Sequence, residues 1–383
     1  MKRVAVVTGT RAEYGLLRSS MEAIERTEGL SLSVIATGMH LSSRYGSTVE
    51  EIRDDGFGVD HTVSMLLEGD TGLTMAKSTG IGVMGLAEAF GSLEPDVVLV
   101  LGDRDEAFAG AVAAAHMNVP VAHVHGGDSM HGAIIDDSIR HAITKFAHVH
   151  FPVSERSHDR IVKLGEQEWR IEVVGAPGLD AVIAGEYDPP EVIFSKHDVP
   201  EEPPTALVVQ HPVTTQPDEA GDQMRATLTA LSAFDIHAVV VYPNSDAGGN
   251  RMIDVIDEYD DREWVTSFNN LPRSEFLGAM AGSDVMVGNS SSAIIEAPSF
   301  GLPAVDIGPR QRGRERAENT VRVPHDSDRI RDAVRDCLED ESVRRRAARC
   351  RNPYDYGGAG ERIATHLSEL EIDRELLRKR LTY

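Results

Sequence analysis

The sequence predicts an α/β protein with two doubly wound domains, each built on a parallel sheet that helices cover on both faces. Short apolar runs rich in valine and isoleucine recur along the chain, and stretches with helical periodicity separate most of them. Continuous apolar strands that alternate with helices are typical of parallel sheets. The length of 383 residues exceeds what one ordinary core needs and suits two domains.

The predicted strands form two series. Those of the first half are VAVVTG, LSVIATG, DVVLVLGD, VPVAHVHGG, AHVHFPVS and IEVVGAPG. Helical periodicity separates most of them, for instance over residues 13–27 and 106–116. The pattern pauses at 187–204, which is rich in proline and charge, and restarts with TALVVQHP, HAVVVYPNSD, DVMVGNSSS, PAVDIG and NTVRVP. We therefore expect one domain before about Gly178 and one after it.

Composition places the chain among packed globular proteins, because 41% of its residues are hydrophobic. Its first residues, MKRVAVVTGT, form a strand and turn rather than a signal peptide, and no window offers 18 uninterrupted apolar residues. These observations predict a soluble, cytoplasmic protein with no membrane partner. Cys337 and Cys350 are too few for a disulfide scaffold and are predicted to stay reduced.

The formal charge of 38 minus 62, or −24, argues against nucleic-acid binding, because a phosphate backbone is repelled. A small anionic ligand remains possible where arginines cluster. Lysine is scarce, with six residues against 32 arginines, and the acidic residues are dispersed along the chain. This pattern predicts a halophilic protein; the alternative is an acidic mesophilic surface.

Polar side chains follow the predicted strands at the point where each one ends, in GTRAEYG, GDRDE, HVHGGD, QHPVTT, PNSDAGG, GNSSSAIIEA and GPRQRGRE. Ligands of doubly wound sheets bind beyond the carboxyl ends of the strands, so the cleft between the domains is the expected site. Arg11, Arg104 and Arg310 are predicted phosphate ligands. Four glycines are expected to let the backbone approach a ligand, namely Gly9, Gly126, Gly127 and Gly288. Neither a GxGxxG nor a GxxxxGK[ST] motif occurs.

The stretch GNSSSAIIEA combines hydroxyls and a carboxylate at a predicted strand-to-helix junction. Hydroxyls of Ser290, Ser291 and Ser292 at a helix N-terminus can bond phosphate oxygens, and Glu296 can accept from the vicinal hydroxyls of a ribose. The alternative is a serine N-cap followed by an ordinary helical glutamate. The neighbouring GPRQRGRE favours a nucleoside diphosphate.

The chain resembles the hydrolysing UDP-N-acetylglucosamine 2-epimerases, which begin the synthesis of sialic and related nonulosonic acids. The resemblance rests on TRAEYG, YGSTVEEI, PDVVLVLGDRDEAFA, IDDSIRHAITKFAHVH, QHPVTT, YPNSDAG, GNSSSAIIEAPSFGLPAVDIGPRQRGRE and EN before TVRV, in this order over residues 4–323. It implies a glycosyltransferase-B type fold with two Rossmann-like domains at 1–178 and 179–365, and a C-terminal helix over 366–383 that packs back on the first domain. It also implies a homodimer and neither metal nor cofactor.

The resemblance implies site residues as well. The UDP group is expected to be held by Arg11, Arg104, His211, Asn244, Ser290, Ser291, Glu296 and Arg310. Asp103, Asp136 and Asp137 are expected near the reacting sugar. For each aspartate the alternative is helix capping, by Asp103 of a helix beginning near Asp105 and by the other two of the helix that follows them. His211 precedes a proline, which suits a strand-end loop, and its alternative is a surface imidazole.

The implied chemistry explains the need for carboxylates. Departure of UDP from C1 makes the C2 proton labile; its removal gives 2-acetamidoglucal, and water then adds at C1 while a proton returns to the other face of C2. The products are N-acetylmannosamine and UDP. The route needs a phosphate clamp, proton-transferring side chains and a closed site.

Two histidine pairs and one departure from the family leave alternatives open. His123 with His125, and His148 with His150, alternate on strands and permit a metal site, although the predicted site contains none. Where relatives commonly carry glutamate in HIEGG, this chain has His125, so a proton-transferring carboxylate is absent or moved to Asp128. The alternatives to a hydrolysing epimerase of UDP-N-acetylglucosamine are a UDP-2,4-diacetamido-6-deoxy-sugar substrate for legionaminic acid synthesis, a non-hydrolysing epimerase or glycosyltransferase, and a non-catalytic nucleotide-sugar sensor, the last suggested by His125.

Overall fold

The computed structural model describes residues 1–67, 69, 71–132 and 134–383. Its strands are β1 Lys2–Thr8, β2 Leu30–Thr37, β3 Val59–Val63, β4 Val97–Leu101, β5 Val121–Val124, β6 Val149–Phe151, β7 Thr205–Val209, β8 His237–Val241, β9 Val265–Phe268, β10 Val285–Gly288, β11 Ala304–Ile307 and β12 Thr320–Val323. Its α-helices are α1 Arg11–Arg26, α2 Val49–Asp54, α3 Gly72–Leu93, α4 Asp105–His116, α5 Ile135–Phe146, α6 Glu155–Lys163, α7 Gly178–Ala184, α8 Pro190–Lys196, α9 Ala220–Leu231, α10 Gly249–Asp257, α11 Arg273–Gly282, α12 Ser292–Ile295, α13 Ser327–Glu339, α14 Glu341–Arg349, α15 Ala359–Glu369 and α16 Arg374–Leu377.

The chain divides into two compact units. Unit 1 comprises Met1–Ser129, Ile135–Asp180 and Tyr354–Tyr383, and unit 2 comprises Met130–Ile134 and Ala181–Pro353. Each unit contains a six-stranded sheet in which every described strand pair is parallel. The predicted fold class, two doubly wound Rossmann-like sheets, is confirmed.

Unit 1 has the strand order β3-β2-β1-β4-β5-β6. The central strand β4, VVLVL, is buried at every position, which explains its continuous apolar sequence. Helix α1 begins with a capping box, in which Thr10 accepts the Glu13 N–H and Glu13 accepts backbone N–H groups in return. Helix α15 packs against α1, and its Ile363, Ala364 and Leu367 belong to the same apolar core as β1 and β4.

Unit 2 repeats the architecture with the order β12-β11-β10-β7-β8-β9. Strands β7 and β8 are buried throughout, and α9, α10 and α13 contribute apolar side chains to one face of the sheet. The other face packs against α8, α11 and the segment around Leu302. Among the described residues, no helix is both long and apolar enough to cross a bilayer.

Several predicted elements differ from the observed ones. IEVVGAPG forms a single bridge from Ile171 to His150 rather than a strand, and β3 and β9, which are short and more polar, were not predicted. The predicted pause at 187–204 contains α8. The expected single helix over 366–383 is replaced by the end of α15, the four-residue α16 and an irregular segment, because Asp373 caps a new helix start. The domain boundaries at 178 and 365 stay a prediction.

Candidate active site

The strand order reverses between β1 and β4 in the first sheet and between β7 and β10 in the second. The β1–α1 junction comprises residues 9–11 and the loop after β4 comprises residues 102–104, while the loops after β7 and β10 contain His211 and Ser290. Ligands of doubly wound sheets bind at the carboxyl edge where strand order reverses. Six of the predicted site residues lie at these two positions, namely Arg11, Asp103, Arg104, His211, Ser290 and Ser291.

Arg140 of α5 organises the strand ends of unit 1. Its guanidinium donates to the Asp103 carboxylate, and its Nη1 donates to the backbone carbonyl of His125 at 2.9 Å. Arg140 is buried, whereas Asp103 keeps part of its side chain exposed. The capping alternative for Asp103 fails, because α4 begins at Asp105 with Arg104 as its N-cap. Asp103 instead belongs to a fixed ion pair with one open side.

His125 and Asp128 lie in the loop after β5. His125 has a φ of 64°, in the left-handed region, and its N–H donates to the Phe151 carbonyl at 3.1 Å. Its Nδ1 lies 3.7 Å from an Asp128 oxygen, and the other Asp128 oxygen accepts from the Ser157 hydroxyl at 2.7 Å. Both side chains are buried. The structure therefore places a carboxylate beside the imidazole that departs from the family pattern.

Asp136 and Asp137 occupy the first turn of α5 and are both buried. They lie inside the helix, so neither is its N-cap, which removes the capping alternative. Asp136 shares a helix face with Arg140 at i+4 spacing. Asp137 lies 3.9 Å from His141, whose pKa is lowered by burial. The two aspartates thus lie in the first turn of the helix that carries Arg140.

Two buried glutamates that sequence reasoning did not single out lie beneath the loops of unit 1. Glu13 accepts the Gly9 N–H at 2.8 Å, and a Cβ on Gly9 would lie 2.3 Å from the Glu106 Cγ. Arg104 Nε lies 3.5 Å from a Glu106 oxygen. Gly9 is therefore required for packing against Glu106, whereas we expected it to admit a ligand.

His211 and Asn289 form the centre of the unit 2 site. Asn289 is fully buried; it accepts the His211 N–H at 2.7 Å and donates to the His211 carbonyl at 2.9 Å. The Asn244 N–H donates to His211 Nδ1 at 3.2 Å. Because that nitrogen is an acceptor, the neutral imidazole carries its proton on Nε2, which is then a hydrogen-bond donor. Sequence reasoning missed Asn289, although it lies within the quoted GNSSS.

The serine cluster precedes a much shorter helix than expected. Helix α12 covers Ser292–Ile295 only, and a 3₁₀ turn at Ala297–Phe300 follows, because Pro298 cannot continue the helix. Ser291 is the N-cap without a side-chain capping hydrogen bond. The Ser292 N–H lies 3.3 Å from the Ser290 hydroxyl oxygen. The Ser290 hydroxyl also donates to the Ser292 hydroxyl at 3.3 Å, so these two groups lie together just after β10, and the short helix contributes little dipole.

Glu296 is buried and forms an ion pair with Arg273 of α11. Gly288 has a φ of 139°, and a Cβ there would lie 2.1 Å from the Val209 carbonyl oxygen. This glycine allows the close approach of β10 to the end of β7 rather than of a ligand. The sequence pattern identified Glu296 but not Arg273, the cation that pairs with its carboxylate.

Arg310 lies in the loop after β11, where it is buried and its Nη1 donates to the Asn289 carbonyl at 3.3 Å. Gln311 donates to the same carbonyl at 2.8 Å. Arg322 contacts buried Asp306 at 2.8 Å and the Gln311 carbonyl at 2.9 Å. Burial raises the pKa of Asp306, and Arg322 opposes that rise. The Asp306–Arg322 pair therefore fixes the loop that presents Arg310.

The strand histidines have protein partners. His123 Nε2 lies 2.7 Å from the Gly102 carbonyl, and His148 Nδ1 accepts the Val121 N–H at 3.1 Å. Burial lowers the pKa of His123 to about 3 and that of His150 to about 4, so both are neutral. In the part of the chain that the structure describes, no group of three or more His, Cys, Asp or Glu side chains could hold a metal ion.

The comparisons with known proteins cover nearly the whole chain. A family model described as UDP-N-acetylglucosamine 2-epimerase matches residues 22–368. A UDP-N,N'-diacetylbacillosamine 2-epimerase (hydrolyzing) of Legionella pneumophila is 38% identical over 99% of both chains. A UDP-N-acetylglucosamine 2-epimerase of Neisseria meningitidis serogroup B is 31% identical over 87% of both chains.

Solved structures share the fold. The crystal structure of a UDP-GlcNAc 2-epimerase from Neisseria meningitidis bound to UDP-GlcNAc has a TM-score of 0.80 at 17% identity, covering 96% of this chain and 99% of that one. A Methanocaldococcus jannaschii UDP-GlcNAc 2-epimerase in complex with UDP-GlcNAc and UDP gives 0.79 at 19% identity, with 96% and 99% coverage. The similarity confirms the glycosyltransferase-B type fold predicted from the resemblance.

Proposed function

The chain belongs to the UDP-N-acetylglucosamine 2-epimerase family, and we propose that it is a hydrolysing epimerase that converts a UDP-2-acetamido sugar into the free 2-epimer and UDP. The observation that carries the proposal is the Arg140–Asp103 pair, which fixes a partly exposed carboxylate at the point where strand order reverses. Family membership supplies the class of reaction, and the carboxylates of unit 1 supply groups that move protons.

Asp103 is the proposed proton-transferring carboxylate. Removal of the C2 proton and its return to the opposite face require two groups on different sides of the sugar ring, or one group and a water. Asp136 and Asp137 are the proposed second source, and Asp128 with His125 the third. Arg140 keeps Asp103 oriented and offsets its charge, so that the carboxylate need not reorganise as the proton moves.

The unit 2 residues are proposed to bind the uridine diphosphate. Arg310 and the Nε2–H of His211 donate to phosphate oxygens and stabilise the charge that develops as UDP leaves C1. Ser290 and Ser291 contribute hydroxyls, Asn244 an amide, and Glu296 accepts from the ribose. In unit 1, Arg11 and Arg104 are proposed to add positive charge for phosphate at the carboxyl edge of the first sheet.

The preferred substrate is proposed to be UDP-N,N'-diacetylbacillosamine, whose sugar carries a second acetamido group at C4 and lacks the C6 hydroxyl. The Legionella pneumophila relative, which is named for that substrate, aligns with 99% of the chain at 38% identity. UDP-N-acetylglucosamine is the second candidate, supported by the Neisseria meningitidis relative. The two are separated by the ratio of kcat/KM values measured with each purified UDP-sugar.

The reaction itself is tested by turnover in D2O. Elimination and readdition exchange the C2 proton, so the free sugar is expected to carry deuterium at C2, and Asp103→Asn is expected to abolish turnover while UDP affinity stays within about threefold, ~0.65 kcal/mol. Proton NMR reports both the product and its isotope. Protium retained at C2 contradicts the epimerase mechanism. UDP release only with an added acceptor indicates glycosyl transfer, and binding without turnover indicates a sensor.

A further inference from the structure

Glu13 is a buried residue whose carboxyl group fixes the turn between β1 and α1. Its Oε2 accepts the N–H of Gly9 at 2.8 Å and the N–H of Thr10 at 3.2 Å. Its own N–H donates to the Thr10 hydroxyl at 3.2 Å. The turn that Glu13 holds leads directly into Arg11, one of the proposed phosphate ligands.

Glu106 reaches the same place from the first turn of α4. A Cβ on Gly38 would lie 2.3 Å from the Glu106 Oε1, and one on Gly9 would lie 2.3 Å from the Glu106 Cγ. The Glu106 side chain therefore packs directly against both glycines. Its Oε2 is buried without a hydrogen-bond partner among the described residues and lies 3.5 Å from Arg104 Nε. Two buried acids therefore share the space beneath the strand ends, and the nearby ion-pair partner is Arg104.

Two acids in one buried space do not both ionise readily. Burial and the Glu106 charge raise the pKa of Glu13 to about 8, and Arg104 and the Gly9 N–H oppose the rise. The other charged group near it is Asp103 in the β4–α4 loop, whose charge also raises the Glu13 pKa. His40, whose N–H donates to the Gly9 carbonyl, is neutral because burial lowers its pKa to about 4.

We propose that Glu13 is a positioning residue that works as a neutral carboxylic acid, fixing the turn at Gly9–Arg11 without adding a second negative charge beside the Arg104–Glu106 ion pair. The inference rests on the proposed function, because it concerns diphosphate binding by Arg11 and Arg104. A neutral Glu13 keeps a second negative charge away from the floor of that site. Its ionisation would add a negative charge that repels the diphosphate.

The test compares wild type, Glu13→Gln, Glu13→Ala and the exposed control Glu25→Gln. Glutamine reproduces a neutral acid, with an oxygen to accept the two N–H groups and an N–H₂ in place of the hydroxyl. Calorimetric titration with UDP is done from pH 7 to 9.5, where its terminal phosphate, with a second pKa of about 6, is fully ionised. At pH 7, Glu13→Gln is expected to restore most of the affinity that Glu13→Ala loses.

The pH profile gives the distinguishing result. Wild-type and Glu25→Gln affinity for UDP are expected to fall by about threefold to tenfold between pH 7 and 9.5, while Glu13→Gln falls by less than about twofold. Lys379 also titrates in this pH range, because burial lowers its pKa to about 8. Since Lys379 is present in both proteins, the readout is the difference between the wild-type and Glu13→Gln profiles. A Glu13→Gln profile that follows wild type, or a loss at pH 7 as large as that of Glu13→Ala, overturns the inference.

Stability supplies a second readout that does not depend on UDP. The folded pKa of Glu13 is raised above its unfolded value, so its contribution is fully present below pH ~4.5 and is lost as pH rises through about 8. Urea unfolding between pH 5 and 9 is expected to show this fall in wild type and not in Glu13→Gln. If wild type binds no UDP, the proposed function fails, and the unfolding profiles alone support or overturn the inference.

Discussion

Arg140 joins Asp103 to the backbone of the neighbouring loop, because one guanidinium donates both to the Asp103 carboxylate and to the carbonyl of His125 at 2.9 Å. The fork spans the ends of β4 and β5, two adjacent strands of the first sheet. A planar guanidinium can make this double contact, whereas an ammonium cannot match its geometry. The orientation of the proposed proton-transferring carboxylate is therefore set by α5.

We predict that Arg140→Lys lowers kcat by about ten- to a hundredfold, because one charge-assisted hydrogen bond contributes roughly 1.5 to 3 kcal/mol. UDP affinity is expected to stay within about threefold, since the change lies at the carboxylate and not at a proposed phosphate ligand. Steady-state kinetics and calorimetry measure the two quantities, with exposed Arg26→Lys as control. An unchanged kcat would show that Arg140 serves the fold only.

The sheets were predictable because buried parallel strands are continuously apolar, as in VVLVL of β4. β3 was missed because three of its five residues are polar and only Val63 is buried. Most predicted site residues lie at strand ends for the same topological reason. Their partners were not predictable: Arg140, Arg273 and Asn289 are brought to the site by packing between elements distant in sequence, which no local pattern records.

The diphosphate clamp gives the second prediction. Arg310→Ala and Ser290→Ala are each expected to weaken UDP binding, the arginine change by about ten- to a hundredfold and the serine change by less, because hydrogen bonds to charged groups are the stronger class. Arg312→Ala, an exposed arginine in the same loop, is the matched control. Calorimetric affinities for both variants equal to that of the control would mean that GNSSSAIIEA is purely structural.

Glu166 gives a prediction about acid stability. Burial opposes its ionisation, but hydrogen bonds from His150, Lys145 and Lys379 outweigh burial and lower its pKa to about 2. A depressed folded pKa contributes stability that is present above pH ~4.5 and lost as pH falls toward about 2. Glu166→Gln is therefore expected to lose about 2 to 4 kcal/mol at pH 7.

The loss of unfolding free energy caused by Glu166→Gln should become progressively smaller below pH ~4.5. Denaturant unfolding at several pH values measures it, and Glu168→Gln, an exposed neighbour, is expected to change stability by less than about 0.5 kcal/mol. A deficit that is constant between pH 7 and 3 would show that the carboxylate charge does not provide the stabilisation.

The charge of −24 gives a prediction about salt. If the dispersed acidic residues are a halophilic adaptation, dilute buffer is expected to destabilise the fold. The Debye length grows from about 3 Å at 1 M salt to about 10 Å at 0.1 M, so like charges repel one another over a longer distance. The melting temperature is expected to fall steadily from molar KCl to dilute buffer. A melting temperature that is unchanged or higher in dilute buffer would favour an ordinary acidic surface.

The last prediction concerns Glu296, which is proposed to recognise the ribose while paired with Arg273. Wild type is expected to bind UDP about tenfold more tightly than 2′-deoxy-UDP, because a lost hydrogen bond to a charged acceptor is worth roughly 1.5 kcal/mol or more. Glu296→Ala should remove this preference, whereas the exposed control Arg262→Gln should keep it. Arg273→Gln leaves the Glu296 charge buried without its ion-pair partner, so we expect a stability loss of about 3 to 5 kcal/mol and a weakened preference. Adding Glu296→Ala to Arg273→Gln is expected to recover part of that stability, because the unpaired charge is removed. Equal wild-type affinities for the two nucleotides would restrict Glu296 to a structural ion pair and leave ribose recognition to other residues.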